Sequence, residues 1–211
     1  RVRYLYMSTI DTIIFDLGGV LIDWNPKYVY RNVFDGDEEK VDWFLNNICT
    51  SEWNVAHDAG RSLKEGTDLL VNQYPEYESW IRIYYDQWPD MLGGPISDSV
   101  AILQQLKKTS AYDLYALTNW SAETFPVALD RFDFLGHFKG IVVSGAEKTR
   151  KPFQKIYEIT LARYNITAEN AVFIDDNFDN VQAAKKLGVN GIHFKSATQL
   201  LNELRAMNVA I

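Results

Sequence analysis

The sequence contains a single cysteine, Cys49. No internal disulfide can form, which fits a reducing compartment and makes the cytoplasm the expected location. Histidine is scarce too: His57, His137 and His193 stand far apart and show no metal-ligand spacing. Positive charge is in deficit, with 21 Lys and Arg against 28 Asp and Glu and a formal net charge of -7. Non-specific nucleic-acid binders gain affinity by neutralising phosphates, so no nucleic-acid partner is expected, although a local basic pocket is still allowed. No apolar run approaches the ~20 residues that a membrane span needs, so no membrane partner is expected either. Residues 1–6 are basic and aromatic but lack the apolar stretch of a secretory signal. Met7 is the expected start, with the six residues before it an upstream extension outside the fold. Internal repeats and low-complexity tracts are absent. What remains is 47% hydrophobic and 23% charged over 211 residues, a globular composition long enough for one domain or a core with an insertion.

The chain is organised around one stretch. Residues 10–15 are rich in β-branched side chains and read as a buried strand. The strand ends in Asp16, and Gly18 and Gly19 follow, which lets the backbone turn sharply beside the carboxylate. Carboxylates at the C-terminal tips of parallel strands lie where open α/β sheets bind ligands. Apolar spacing then predicts short helices over 27–33, 38–47, 63–73 and 80–88, with no convincing strand before Pro95. Five of the six tryptophans (Trp24, Trp43, Trp53, Trp80, Trp88) lie in or at the edge of this segment. Their plainest use is as the core of a small bundle, and their sharper one is to line a cleft.

Gly93-Gly94-Pro95 breaks the helical pattern. Beyond it strands and helices alternate. A helix over 97–108, capped by Ser97 or Asp98, precedes a strand over 113–117 that ends in Thr118-Asn119. A helix over 122–131 carries Pro126, expected to kink or shorten it. A strand over 140–143, a helix over 153–164 and a strand over 171–174 ending in Asp175-Asp176 follow. A helix over 177–187 stopped by Gly188, a strand over 190–194 and a helix over 197–207 complete the pattern. This order specifies an α/β fold: a doubly wound parallel sheet, Rossmann-like, covered on both faces. The expected division is a core of residues 7–23 and 96–211 with an inserted α-helical cap of residues 24–95. In such a sheet Asp16, Thr118, Asn119, Asp175 and Asp176 converge on one crevice, with Lys151 just before a helix start. Asp175 and Asp176 also suit the N-terminus of the helix that follows, as capping carboxylates.

These residues resemble the haloacid dehalogenase-like hydrolase superfamily. Phe15-Asp16-Leu17-Gly18-Gly19-Val20 matches its first motif, Leu117-Thr118-Asn119 its second, Lys151-Pro152 its third and Phe173-Ile174-Asp175-Asp176-Asn177 its fourth. The helical insertion sits where one class of the family carries its cap. The opening motif is similar to a branch of small-metabolite phosphatases, sugar phosphatases among them. The resemblance implies a magnesium-dependent phosphomonoester hydrolase acting on a small phosphorylated metabolite through an aspartyl-phosphate. Asp16 would be the nucleophile. Asp16, Asp176, Asp175 and the Gly18 carbonyl would hold Mg²⁺, offsetting the repulsion between carboxylate and phosphate. The Thr118 hydroxyl and Asn119 backbone N–H, with Gly19 beside them, would take the phosphoryl group, and Lys151 would neutralise its charge.

One position departs from the family pattern. Most of these phosphatases have a second Asp two residues after the nucleophile, to protonate the leaving oxygen and later activate water. Here it is Gly18. General acid–base help is worth ~10²–10⁴-fold, and Asp23, His57 and Asp58 are the candidates to supply it. Asp58 and Arg61 flank an expected cap turn whose chemistry, with the aromatics, would suit a small polar metabolite such as a sugar phosphate. Two other functions compete. A 2-haloacid dehalogenase uses the same nucleophile without a metal, but two adjacent carboxylates serve an anionic substrate poorly, and Gly18 stands where those enzymes usually carry Tyr. A non-catalytic regulatory protein of the same fold has only Gly18 in its favour.

Overall fold

The computed structural model describes residues 9–211; residues 1–6, Met7 and hence the expected start of the chain lie outside the described residues. Strand β1 (Thr12–Phe15) opens the fold and leads through Asp16 to Gly19 into β2 (Ile22–Trp24). Five helices follow: α1 (Lys27–Val33), α2 (Glu38–Asn47), α3 (Ser51–Asp58), α4 (Leu63–Gln73) and α5 (Glu78–Asp86). The chain returns through β3 (Leu92–Pro95) and α6 (Ser97–Thr109) to β4 (Asp113–Thr118). It continues as α7 (Phe125–Arg131), β5 (Gly140–Val143), α8 (Ser144–Glu147), α9 (Gln154–Arg163), β6 (Ala171–Asp175), α10 (Phe178–Lys186), β7 (Asn190–His193) and α11 (Ala197–Ala206). No described helix is long and apolar enough to cross a membrane.

Five strands form one parallel sheet in the order β5-β4-β1-β6-β7. All four residues of β1 are buried, as a strand covered on both faces requires. The period-2 alternation of the strands sorts them between two cores. Ile13, Phe15, Ala116 and Ile174 join the larger one with residues of α6 and α11, whereas Ile14, Tyr115, Leu117 and Phe173 join Ile156, Tyr157 and Ala184 on the other face. The strand order reverses at β1, which has β4 on one side and β6 on the other. The crevice for a ligand therefore opens at the tips of these three strands.

The helices between β2 and β3 surround an aromatic cluster. Tyr30 packs on Phe44 with ring centroids 4.8 Å apart, and Trp80 meets Phe34 edge-on at 5.0 Å. Edge-on packing places the positive ring edge on a negative face. The Tyr30 hydroxyl donates to the Trp80 carbonyl at 2.8 Å, so its one polar group is satisfied inside the bundle. Asp37, Thr50 and Ser62 cap α2, α3 and α4 through side-chain bonds to Lys40, Trp53 and Glu65 N–H groups.

Several expectations are corrected. β2 and β3 pair as an antiparallel ribbon where no strand was expected before Pro95. Its glycines hid it: a Cβ on Gly93 would lie 2.1 Å from Asp23 Oδ2, so the bare backbone is what lets the strands close. α3 lies outside the expected helices, and the helix expected over 80–88 runs over 78–86, leaving Trp88 to a separate turn. Neither Ser97 nor Asp98 caps α6; Ile96 holds that position without a side-chain bond. Pro126 does not kink the helix expected over 122–131 but shortens it: α7 begins at Phe125, with Pro126 in its first turn, where no N–H is needed. Asp175 and Asp176 are not the caps of α10: Asn177 is, accepting from the Asp179 and Asn180 N–H groups at 2.9 and 3.2 Å.

Candidate active site

Lys151 is the hub of the crevice. Its ammonium is 1% exposed and reaches three acceptors: Asp16 Oδ1 at 2.8 Å, Asp175 Oδ2 at 2.7 Å and the Leu117 carbonyl at 2.9 Å. Three donors meet three acceptors, so the buried cation is fully satisfied. Its position is set by Asn119, whose side chain accepts from the Lys151 N–H at 2.9 Å and donates to the Lys151 carbonyl at 3.0 Å. That clamp was not foreseen, since only the Asn119 backbone had a part in the sequence pattern.

The two motif-four carboxylates are unequal. Asp175 is fully buried, and its oxygens are occupied by Lys151, by the Asn177 N–H at 2.8 Å and by the Asn180 amide at 3.2 and 3.1 Å. Asn180 has no part in the sequence pattern; it lies in the first turn of α10, where only the fold aims it back at Asp175. Asp176 is exposed, and it packs on Gly19, where a Cβ would fall 2.3 Å from its Oδ2. With φ at +77° as well, this position needs a glycine twice over. Asp16, Asp175 and Asp176 each bring an oxygen within 4.8 Å of the other two. Thr118, 1% exposed, ends β4 next to Asn119. The crevice thus brings together Asp16, Gly18, Gly19, Thr118, Asn119, Lys151, Asp175 and Asp176.

Charge in the crevice is unbalanced. Burial pushes the Asp16 carboxyl well above the usual range, the Asp175 charge adds to the rise, and Lys151 opposes it. Asp176 is exposed as a residue, but its carboxyl is partly desolvated beside Asp16 and Asp175, which raises it, and the Asp175 charge raises it further. Burial is also the largest single influence on Lys151 and favours its neutral form, but Asp16 and Asp175 together outweigh it, and its pKa is raised. One ammonium therefore faces three carboxylates whose excess negative charge a cation would relieve. The donor set fits a hard divalent ion. Asp16 Oδ2 is outside the Lys151 bond, Asp176 is open, and the Gly18 carbonyl accepts no backbone hydrogen bond among the described residues.

Above the crevice lies a cavity of about 110 Å³. Gly18 and Asn119 line it from the sheet, Trp24, Trp88 and Trp120 supply aromatic wall, and Asn54, Asp58 and Tyr85 come from the helices. Trp88 meets Trp120 edge-on at 5.6 Å. A Cβ on Gly18 would touch nothing within 4 Å. Of the three acid candidates, two are engaged elsewhere. Asp23 accepts from the Tyr28 hydroxyl at 2.5 Å. His57 is 1% exposed inside the helices, with Nδ1 2.6 Å from the Tyr85 hydroxyl and Nε2 against Gly66 without a partner. Tyr85 also lies 2.8 Å from Asn54 Oδ1. If its one proton goes to Asn54, then His57 Nδ1 carries the proton and the stranded Nε2 is a bare lone pair. Burial, with Arg61 adding, lowers the His57 pKa to about 4. Arg61 faces a separate groove beside Arg150 and Phe153, not this cavity.

The sequence profile of the haloacid dehalogenase-like hydrolases matches residues 10–188. The chain is 29% identical over 201 residues to the sesquiterpene phosphatase astK of Aspergillus oryzae, covering 95% of this chain and 97% of that one. It is 23% identical over 205 residues to a phosphorylated carbohydrates phosphatase of Thermotoga maritima, covering 94% and 90%. A HAD family enzyme of Bacteroides thetaiotaomicron, solved as a magnesium complex, superposes with a TM-score of 0.69 at 20% identity, covering 88% of this chain and 93% of that one; this likeness is one of fold. With the profile spanning most of the chain and all four motif loops meeting at the strand tips, the chain belongs to the haloacid dehalogenase-like hydrolases.

Proposed function

We propose that the chain is a magnesium-dependent phosphomonoester hydrolase acting through a phosphorylated Asp16. The observation that carries this reading is the Lys151 ammonium held between Asp16 and Asp175, with the open Asp176 carboxylate beside them. Asp16 Oδ2 attacks phosphorus, the bond to the leaving oxygen breaks, and water later hydrolyses the aspartyl-phosphate. The Thr118 hydroxyl and the Asn119 N–H hold phosphoryl oxygens while Lys151 offsets their charge. Asp16, Asp176 and the Gly18 carbonyl would hold Mg²⁺, which supplies charge neutralisation between two anions. Asp175, its oxygens already occupied, serves mainly to fix Lys151 and the loop.

Residues 24–95 act as a cap over a core of residues 7–23 and 96–211, residues 7 and 8 lying outside the described residues. The cap and core close a cavity walled by Trp24, Trp88 and Trp120. Indole faces favour a substrate with an apolar body, which is closer to the terpenoid substrate class in the name of the Aspergillus relative than to a sugar phosphate. The test is phosphate release from p-nitrophenyl phosphate, an isoprenyl monophosphate and a sugar phosphate, with Mg²⁺ or with EDTA, for wild type and Asp16→Asn. The reading expects metal-dependent turnover, best on the isoprenyl monophosphate, and abolished in the variant. Turnover that survives EDTA or the loss of the Asp16 carboxylate would refute it.

A further inference from the structure

We infer that Asp58, presented by the cap at the end of α3, is the general acid and base that this chain lacks at Gly18. The inference rests on the phosphatase reading. Gly18 leaves open space where a side chain two residues after the nucleophile would stand, since a Cβ there meets nothing within 4 Å. Asp58, at the end of α3, lines the same cavity. Arg150, Lys151 and the Ser121 backbone N–H all act on its carboxyl. Lys151 is itself bonded to Asp16, so the Asp58 carboxyl shares the electrostatic surroundings of the nucleophile. Its backbone is also fixed. The turn after α3 packs on the core at Gly60, where φ is +109° and a Cβ would come within 3.0 Å of the Lys148 side chain.

The groups around Asp58 set its proton affinity. Arg150 and Lys151, from the loop before α9, lower it, while Tyr84 and Tyr85 of α5 face it as neutral phenols. Glu123, which also acts on Tyr85, accepts from the Leu63 N–H at 2.8 Å. Burial outweighs the two cations and lifts the carboxyl to about 7, where an acid can both give and regain a proton near neutrality.

The two half-reactions balance. As Asp16 Oδ2 bonds to phosphorus, the bond to the leaving oxygen breaks with its electron pair, and the Asp58 proton passes to that oxygen. Asp58 is then a carboxylate. It takes a proton from the water that attacks the phosphorylated Asp16; the Asp16 oxygen–phosphorus bond breaks, inorganic phosphate leaves, and Asp58 is again protonated.

The test compares kcat/KM for Asp58→Asn and wild type on p-nitrophenyl phosphate, whose leaving group needs little protonation, and on an unactivated alkyl phosphate. kcat/KM is chosen because it covers only steps up to leaving-group departure. The variant should lose ~10²–10⁴-fold on the alkyl ester and under ~10-fold on the aryl ester. The wild-type alkyl profile should fall on the alkaline side of about 7, and that limb should vanish in the variant. Adding Gly18→Asp to Asp58→Asn should restore alkyl turnover. Equal losses on the two esters, or an alkaline limb retained by Asp58→Asn, would overturn the role of Asp58 while metal-dependent turnover by the wild type left the phosphatase reading standing. Wild type without such turnover on either ester would sink both together.

Discussion

The two walls of the cavity are held by different physics. On the sheet side, Asp16, Asn119, Lys151 and Asp175, distant along the chain, are joined by direct charged or amide hydrogen bonds. On the helical side, His57 meets Trp53 and Tyr85 edge-on at 4.9 and 5.1 Å, Trp53 and Tyr85 pack tilted at 5.5 Å, and one short hydrogen bond joins His57 and Tyr85. The first wall fixes where charge sits, and the second fixes the shape of what can enter. A charge-locked wall tolerates no change in residue type. A shape-locked one tolerates changes that keep volume but is sensitive to protonation of whatever polar group it buries.

The largest expected effect separates the two walls at once. Lys151→Met removes the only cation between two buried carboxylates, and breaking a buried pair on one side costs about 3–5 kcal/mol. That is a large part of the ~5–15 kcal/mol of a typical domain. The Asp16 carboxyl, already raised by burial, loses the cation that opposes that rise, so the damage grows as pH rises and it is forced to ionise. Urea unfolding at pH 8 should show the full deficit and at pH 5 a smaller one, with phosphatase turnover lost at both. A deficit independent of pH would mean that Lys151 acts there by packing, not by charge.

The next effect belongs to the helical wall and has the opposite pH sense. His57 is neutral when folded, with its pKa lowered to about 4 from the ordinary 6.5. Between those values the unfolded chain binds the extra proton, so stability falls as pH drops through that window. Across that whole window, down to the folded-state value of about 4, the loss would amount to roughly 3 kcal/mol. His57→Gln should therefore flatten the decline in unfolding free energy between pH 6.5 and 4 relative to wild type. Parallel pH curves for the two proteins would show that the ring takes up its proton without unfolding, and the buried, neutral assignment would fall.

The same division decides what could be read from the sequence. Asp16, Asp175 and Asp176 are legible because charge at a strand tip needs one residue type at one place, and the alternating pattern beyond Pro95 gives the parallel sheet that gathers them; Lys151, in the loop before α9, is legible only through the third motif of the family pattern. The β2–β3 ribbon was not legible, because Leu92–Pro95 carries two glycines and a proline and its pairing depends on a partner some 70 residues away. Asn119 and Asn180 act through side-chain amides whose targets exist only after folding. The three acid candidates were equal in sequence. Only the surroundings distinguish them: Tyr28 occupies Asp23, Gly66 seals His57, and Asp58 alone meets the cavity.

The smallest effect tests the gap between the walls. Gly18 and Gly19 are adjacent and look interchangeable in sequence. Gly19 has φ at +77° and Asp176 pressed against it, so Gly19→Ala should cost at least ~1 kcal/mol from the left-handed backbone alone. Gly18 lacks a positive φ and has open space around it. Gly18→Ala removes chain entropy from the unfolded state and adds no clash, so its unfolding free energy should stay within ~1 kcal/mol of wild type and is expected on the stabilising side. A loss of stability as large as that of Gly19→Ala would mean that the space beside the nucleophile is filled in solution, and that no side chain from the cap could reach across it.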